Sequence, residues 1–235
     1  MRNRIILALI VFLFPLTAVC QVCERRSLRL PIGTFHEKNV TIYGLSLGAF
    51  SWYANERNTV TNGLRIEVPG VGFLTLLGNG SPVSHVDTIT KGISRQDFDF
   101  SEIVNGINIS TGSWGELNYN GLTIGVAAQN GYLANGIAIA GVWNSINKVN
   151  GMSIGGLLLN ESLQHNGIQI GGLGNRSLLM NGVQIAFVNK AKTMNGLQIG
   201  LVNKSFKSTG IQIGLWNVNE LRKFPIVNWS YSKKI

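Results

Sequence analysis

Cysteine and charged residues are scarce in this chain of 235 residues. The two cysteines, Cys20 and Cys23, cannot build a disulfide framework, and no later cysteine could complete a zinc or redox motif around them. Charged residues make up 13% of the chain, where about 25% is usual. The basic residues are scattered and do not form a stripe interleaved with stacking aromatic rings. We therefore expect no nucleic-acid partner.

Histidine is also rare, and the few residues able to do chemistry do not form a recognisable active site. The three histidines are His36, His85 and His165. Ser84, His85 and Asp87 form the one cluster of hydrolytic type, but no nucleophile elbow surrounds the serine. Asp97 and Asp99 would add too few ligands, at an unrecognisable spacing, for a metal site. We predict that the protein is not an enzyme and has no catalytic residue, metal or cofactor.

The first 20 residues have the composition of an export signal. Arg2 and Arg4 precede an apolar segment at residues 5–16, and residues 17–20 form a cleavage zone. The apolar segment is about twelve residues long, short of the ~20 that a membrane-spanning helix needs. We expect the chain to be exported and cut before Gln21, or cut before Cys20 and lipid-anchored there.

Glycine, in contrast, is abundant. The chain of 235 residues has 29 glycines, or roughly one residue in eight, whereas about 7% is usual. Many of the glycines follow asparagine at steps of 14 to 16 residues. These pairs start at Asn105, Asn120, Asn135, Asn150, Asn166, Asn181 and Asn195, with Thr209-Gly210 as an eighth. Such regular spacing identifies a tandem repeat. His165, directly before one pair, is interpreted as a structural variant of the repeat.

Within each repeat, aliphatic residues alternate with polar or small ones. The third residue after the glycine is always isoleucine: Ile109, Ile124, Ile139, Ile154, Ile170, Ile185, Ile199 and Ile213. The residue after it is small: Ser110, Gly125, Ala140, Gly155, Gly171, Ala186, Gly200 and Gly214. This alternation predicts a strand with one buried face. In the segment 197–201 we expect Leu197 and Ile199 to point inward, and Gln198 and Gly200 outward.

Asparagine and glycine also mark where the chain should turn. Each Asn-Gly pair predicts a corner, because both residues tolerate a positive φ. A second corner is predicted at Asn144, Asn175, Asn189, Asn203 and Asn217.

Two all-β architectures fit a repeat of 14 to 16 residues. In a β-solenoid each repeat is one coil, and coils stack in parallel at about 4.8 Å. In an antiparallel β-meander or an outer-membrane β-barrel each repeat is one strand and a turn. Parallel stacking places like residues on like residues, which explains why the same positions recur in every unit. We therefore favour the β-solenoid.

The repeat resembles a family of bacterial surface repeats. The segment from Asn195 to Asn203 is similar to the Asn-Gly-Leu-Gln-Ile-Gly-Leu-Val-Asn units of exported proteins and lipoproteins of spirochaetes and Bacteroidetes. Residues 43–48 and 62–70 resemble opening units of that family, and residues 224–229 resemble a closing segment. The resemblance implies a surface or outer-membrane location and no particular activity. The glutamine is replaced in earlier units by Asn108, Thr123, Ala138 and Ser153.

These patterns divide the chain into four parts. We predict a signal peptide at 1–20, a polar lead-in at 21–40, a repeat domain at 41–217 and a C-terminal cap at 218–235. An insertion at about 69–104 interrupts the repeat domain. A cap is expected because the last coil of a solenoid exposes unpaired backbone.

Three functions are compatible with the sequence. The first is a non-enzymatic, structural or adhesive surface protein that presents a flat repeat face to a protein or polysaccharide partner. The second is an outer-membrane barrel acting as a pore or anchor. The third, a carbohydrate-active solenoid, ranks last, because Glu116 and Glu161 lie three repeats apart. That separation is about 14 Å at one coil per strand spacing, too far for paired glycosidase carboxylates.

Overall fold

The structure, a computed structural model, describes residues 26–51, 57–74, 102–115 and 117–231. These ranges contain thirteen β-strands and a single turn of 3₁₀ helix, Val71–Leu74. The strands are β1 (Ser27–Arg29), β2 (Ile32–Thr34), β3 (Val40–Gly48), β4 (Thr59–Glu67), β5 (Glu102–Ser110), β6 (Leu117–Gly125), β7 (Ala128–Ala140), β8 (Trp143–Gly155), β9 (Leu159–Gly171), β10 (Gly174–Ile185), β11 (Val188–Ile199), β12 (Val202–Val218) and β13 (Lys223–Ser230).

The strands from β3 to β12 form one continuous parallel ladder, each strand pairing with the next in sequence. Like residues lie on like residues, as where Asn181 aligns with Asn195 and Ile185 with Ile199. Successive repeats are therefore stacked coils, and the predicted β-solenoid is confirmed. The antiparallel arrangements do not fit, because they need neighbouring repeats to run in opposite directions.

The ladder keeps its register across the insertion. Strand β4 pairs directly with β5, and Asn62 aligns with Asn105. The coil that begins with β5 therefore stacks in register on the coil of β4, although residues 68–101 lie between the two strands in the sequence.

Each Asn-Gly pair lies at a bend inside the ladder, and the glycine carries the unusual backbone angle. Gly196 has φ of 135°. A Cβ there would lie 2.1 Å from the carbonyl oxygen of Gly182 in the preceding coil. Glycine recurs at this position because it meets both demands, a positive φ and a close approach between coils.

The alternation of each strand is as predicted, but its direction is the reverse of our expectation. Gln198 is 0% exposed, whereas Ile199 is 37% exposed. The glutamines and the small residues point into the coil, and the isoleucines point out of it. The same holds for Gln169, Gln184 and Gln212.

The interior tolerates amides because stacking satisfies them. The Nε2 of Gln198 donates to the Oε1 of Gln184 at 2.7 Å, and the Nε2 of Gln212 donates to the Oε1 of Gln198 at 2.8 Å. A buried amide that finds such partners avoids the cost of lost hydration. In-register repeats supply the partner automatically, since each glutamine lies on another glutamine. The polar residues can therefore occupy the inside of the coil.

Buried asparagines close the second corner from within. The Nδ2 of Asn189 donates to the carbonyl oxygen of Ile199 at 2.8 Å and to the Oδ1 of Asn203 at 2.9 Å. Apolar residues also pack in the interior, with one cluster around Tyr119 and Ile146 and another at Met180 and Met194.

The two ends of the ladder differ. At the C-terminal end β13 pairs with β12 in antiparallel direction, with a register shift between Gly214 and Asn217. At the other end the short strands β1 and β2 both pair with β3. The last coil is thus covered by a strand of opposite direction.

Candidate interaction surface

The exterior of the solenoid carries columns of aliphatic side chains. The isoleucine column of the C-terminal coils consists of Ile170, Ile185, Ile199 and Ile213, aligned one above another. A second set of apolar residues, here called the corner column, follows where the chain turns: Phe187, Leu201 and Leu215. Leu215 is 70% exposed. These residues project outward because the small residue between the two columns projects inward.

The two columns are the walls of an apolar groove of about 650 Å³. Its floor is formed at Gly171, Ala186, Gly200 and Gly214, and Ile226 of β13 borders it at the C-terminal end. Every lining residue is aliphatic, aromatic or glycine. The groove therefore follows the solenoid axis across four coils and offers no polar side chain.

Backbone groups in the groove are already paired between coils. The amide of Gly200 donates to the carbonyl oxygen of Ile213 at 3.0 Å, and the amide of Leu201 to that of Phe187 at 2.9 Å. The amide of Ala186 donates to Ile199 at 3.2 Å. An incoming molecule thus meets backbone amides at Ala186, Gly200 and Leu201 that already donate between coils.

Positive charge concentrates in the same C-terminal coils. The basic residues between positions 174 and 231 are Arg176, Lys190, Lys192, Lys204, Lys207, Arg222 and Lys223, against the single acid Glu220. In residues 102–173 the sequence has Lys148 and three acids, Glu102, Glu116 and Glu161. The basic half of the repeat array is therefore the half that holds the groove.

Aromatic residues lie on the last coil and on the strand that covers it. Trp216 directly follows Leu215 and is about half exposed, and Trp229 of β13 is similarly exposed. The guanidinium of Arg222 lies 4.3 Å from the centre of the Trp229 ring. This end of the solenoid combines exposed rings with fixed cations.

A buried ionic cluster near the other end was missed by the sequence analysis. Arg65 donates from Nε to Glu102 at 2.6 Å and from Nη1 to Glu67 at 3.0 Å. Its Nη1 also donates to Asn108 at 2.9 Å, and its guanidinium lies 4.0 Å from the centre of the Phe35 ring. Arg65 occupies the position of the inward glutamine, so the correct direction of the alternation would have predicted its burial but not its partners.

This cluster is a structural element. All three charged side chains are fully buried. Burial lowers the pKa of Arg65, but the charges of Glu102 and Glu67 outweigh that effect and hold it above its ordinary value. The permanently charged guanidinium therefore ties β4 to β5.

Of the residues singled out from the sequence, those that the structure describes are not brought together. His165 lies inside the coil in the column of Val149 and Met180. Glu161 is buried and accepts hydrogen bonds from Trp143 Nε1 at 3.1 Å and Arg176 Nη1 at 3.2 Å. The candidates outside the described residues are Cys20, Ser84, His85, Asp87, Asp97, Asp99 and Glu116. Within the described ranges no three histidine, cysteine or acidic side chains are grouped as metal ligands.

Comparison with known proteins adds no family to these observations. No protein-family model matches the chain, and no curated protein and no solved structure was found to be similar to it. In the part of the chain that the structure describes, no helix is long and apolar enough to cross a membrane.

Proposed function

We propose that this protein is an exported, non-enzymatic surface protein whose solenoid serves as a structural or adhesive scaffold. The observation that carries the proposal is the outward isoleucine column, which recurs in coil after coil while hydrogen-bonded amides fill the interior. A partner would meet the same side chains at intervals of about 4.8 Å along the axis. Continuous exposed apolar surface of this kind marks interaction sites.

The outward-facing residues differ from those expected from the sequence. The strip of glutamines and small residues is inside the coil, so the presented face is formed by the isoleucine and corner columns. Glu161, one of the two acids considered for a carbohydrate-active protein, is buried against Trp143 and Arg176. These two hydrogen bonds favour a structural role for Glu161.

The location of the protein is proposed from residues 1–20, whose composition is that of an export signal. We place the mature chain at the cell surface or outer membrane, starting at Gln21 or lipid-anchored at Cys20. The full chain would be produced in a bacterial host, and intact cells treated with an external protease. The wild type should be digested, whereas Leu9→Arg with Val11→Arg should keep the chain inside. Equal protection of both would contradict export.

Attachment of such cells tests the presented face. Cells displaying the wild type would be applied to surfaces coated with protein, polysaccharide or phospholipid. Leu201→Ser with Leu215→Ser should reduce attachment to at least one coat. The matched control is Val126→Ser with Leu157→Ser, which removes exposed aliphatic residues outside the groove. If both double variants attach like the wild type on every coat, the groove face is not the presented face.

A further inference from the structure

We infer that the side of the C-terminal coils opposite the isoleucine column, here called the basic face, binds a linear anionic polysaccharide laid along the solenoid axis. This surface lies apart from the groove, so the inference goes beyond the proposed function and does not rest on it. Three observations carry it: the confinement of charge to one side of the coil, the spacing of a column of cations, and an exposed aromatic ring beside that column.

Charge in these coils is confined to one side. The basic face is formed by three aligned segments, 174–179, 188–193 and 202–207. They contain no acid and five basic residues: Arg176, Lys190, Lys192, Lys204 and Lys207. The isoleucine side of the same coils, from the glycine of each bend to the corner column, contains no charged residue. The interior separates the two sides, since Gln212 of the isoleucine side donates inward to Ser205 of the basic face at 3.2 Å.

Stacking gathers basic residues that the sequence scatters. Arg176, Lys190 and Lys204 follow one another at steps of 14 residues, and the ladder aligns them in one column. Their Cα atoms are therefore about 4.8 Å apart along the axis. Lys190 and Lys204 are exposed, and among the described residues Arg176 bonds to Glu161 through Nη1 alone. Like charges this close repel one another, so a line of anions at the same spacing would be attracted and would also relieve the repulsion.

The spacing of the column fits a chain of acidic sugars. A pyranose linked across its ring advances a polysaccharide by about 5 Å, as bonds of about 1.5 Å determine. One carboxylate or sulfate per sugar therefore matches one cation per coil, and the register is kept over all three coils. A strand of duplex DNA has a phosphate every ~3.4 Å of axis, and a bilayer spreads its charges over two dimensions. The linear polysaccharide is the partner whose charges follow the column.

An exposed aromatic ring adjoins the column. Phe206 is 50% exposed, and the Nζ of Lys204 lies 5.3 Å from the centre of its ring. The apolar side of a sugar can pack on this ring while the ammonium group faces the acidic substituent of the same sugar. Phe206 is the single aromatic residue of the three segments. A single-stranded nucleic acid, in contrast, stacks its successive bases on a series of rings.

Binding to immobilised heparin, a linear sulfated polysaccharide, tests the inference. The mature chain, starting at Gln21, should bind heparin and also polygalacturonate, which has one carboxylate per sugar, but not neutral dextran. Lys190→Gln with Lys204→Gln should weaken binding by roughly 4-fold for each lysine, the factor for one charge contact at about 5 Å in water. The slope of log affinity against log salt concentration should fall by about 0.7 for each lysine removed.

Matched variants isolate the column and the ring. Lys38→Gln with Lys148→Gln removes the same charge from exposed positions outside the column and should bind heparin like the wild type. Phe206→Leu keeps an apolar side chain, and should weaken heparin binding by about 2- to 10-fold through loss of the aromatic contact. The same variant should bind inorganic polyphosphate like the wild type, because polyphosphate has no sugar to pack on the ring.

Three outcomes would overturn the inference. Equal weakening by the Lys190 and Lys204 pair and by its control pair would mean that net charge alone drives binding. Binding of single-stranded DNA or of anionic vesicles, without binding of heparin or polygalacturonate, would assign the basic face to another partner. Loss of heparin binding in Leu201→Ser with Leu215→Ser, and not in the lysine variants, would move the site to the groove. Thermal unfolding of each variant shows that the fold is intact.

Discussion

The small residue after each isoleucine is confined by the coil stacked against it. A Cβ on Gly200 would lie 2.2 Å from the carbonyl oxygen of Ala186 and 2.7 Å from the Nδ2 of Asn189. The first of these atoms is backbone held in the ladder, so it cannot move aside without breaking the stacking. Only the smallest side chains fit between the isoleucine and corner columns, and this is what keeps the floor of the groove low.

We predict that Gly200→Phe destabilises the fold by more than about 3 kcal/mol, because overpacking here acts on backbone and side chain together. Leu201→Phe, one residue further and exposed, should change the free energy of unfolding by less than about 1 kcal/mol. Thermal or urea unfolding of the two variants measures the difference. A stable Gly200→Phe protein would show that the small residue does not point inward.

Ile185 points outward. The amide of Ile185→Asn would therefore lie in water, and we expect this variant to lose little stability.

His165 is a buried titratable group inside the array. Burial lowers the pKa of His165 to about 4 from its ordinary 6.5. Between these pH values the unfolded chain binds a proton that the folded chain does not, so stability falls as the pH is lowered. Above pH 7 both states are neutral and the effect vanishes.

We predict that His165→Met, which copies Met180 of the next coil, removes this acid sensitivity. The wild type should lose about 2.5 kcal/mol more than the variant between pH 7.5 and 4.5, as follows from the two pKa values. Urea unfolding at both pH values gives the difference between the two proteins, in which contributions from other titrating groups cancel. Parallel pH profiles would mean that His165 is hydrated in the folded state.

At the scale of an element, each coil carries two asparagine ladders in different surroundings. The outer ladder joins the Asn-Gly bends, and Asn181 there donates to Asn166 at 2.8 Å. The inner ladder joins the second corners, where Asn189 is 0% exposed and also holds the carbonyl oxygen of Ile199. At the Asn-Gly bend, asparagine can therefore hydrogen-bond to water. At the second corner its only partners are protein atoms.

We predict that Asn189→Ala costs about 3 kcal/mol of stability, since it leaves several buried partners unsatisfied at about 1–3 kcal/mol each. Asn181→Ala should cost about 1 kcal/mol or less, because water replaces the lost amide. Chemical unfolding of the two single variants tests the ranking. A larger loss for Asn181→Ala would mean that the outer ladder, and not the inner one, sets the stability of the corner.

At the scale of the whole molecule, the stacked coils need ends that do not recruit further strands. Strand β13 covers β12 in antiparallel direction, and it carries the exposed Lys223 and Pro225. Proline and lysine on an edge strand oppose pairing with another chain, because one lacks a donor and the other keeps its charge in water. The direction change and these two residues together stop the ladder.

We predict that Lys223→Thr with Pro225→Val promotes end-to-end association. The wild type should sediment as a monomer at concentrations where the double variant forms dimers or larger species. Lys148→Thr, on a middle coil, controls for the loss of charge alone. If the double variant remained monomeric at every concentration, the end of the solenoid would owe its protection to the antiparallel direction of β13.

The repeat sequence by itself determined the period of the coil and favoured parallel stacking, because in-register coils explain why identical residues recur at identical positions. It also determined the bends at glycine and the period-2 alternation of each strand. It did not determine which side of the strand is inside. The ranking of Ile199 as buried and Gln198 as exposed assumed that water is the only partner for an amide.

Tertiary structure decided that direction, because stacking supplies each glutamine with another glutamine and so removes the cost of burying it. It also brought Arg65 beside Glu102 across the insertion, a contact between coils that no local pattern encodes. The groove also follows from this inward direction of the glutamines. Once the amides fill the interior, the isoleucine and corner columns must face outward, and only the closed coil places them on either side of a floor of glycine and alanine.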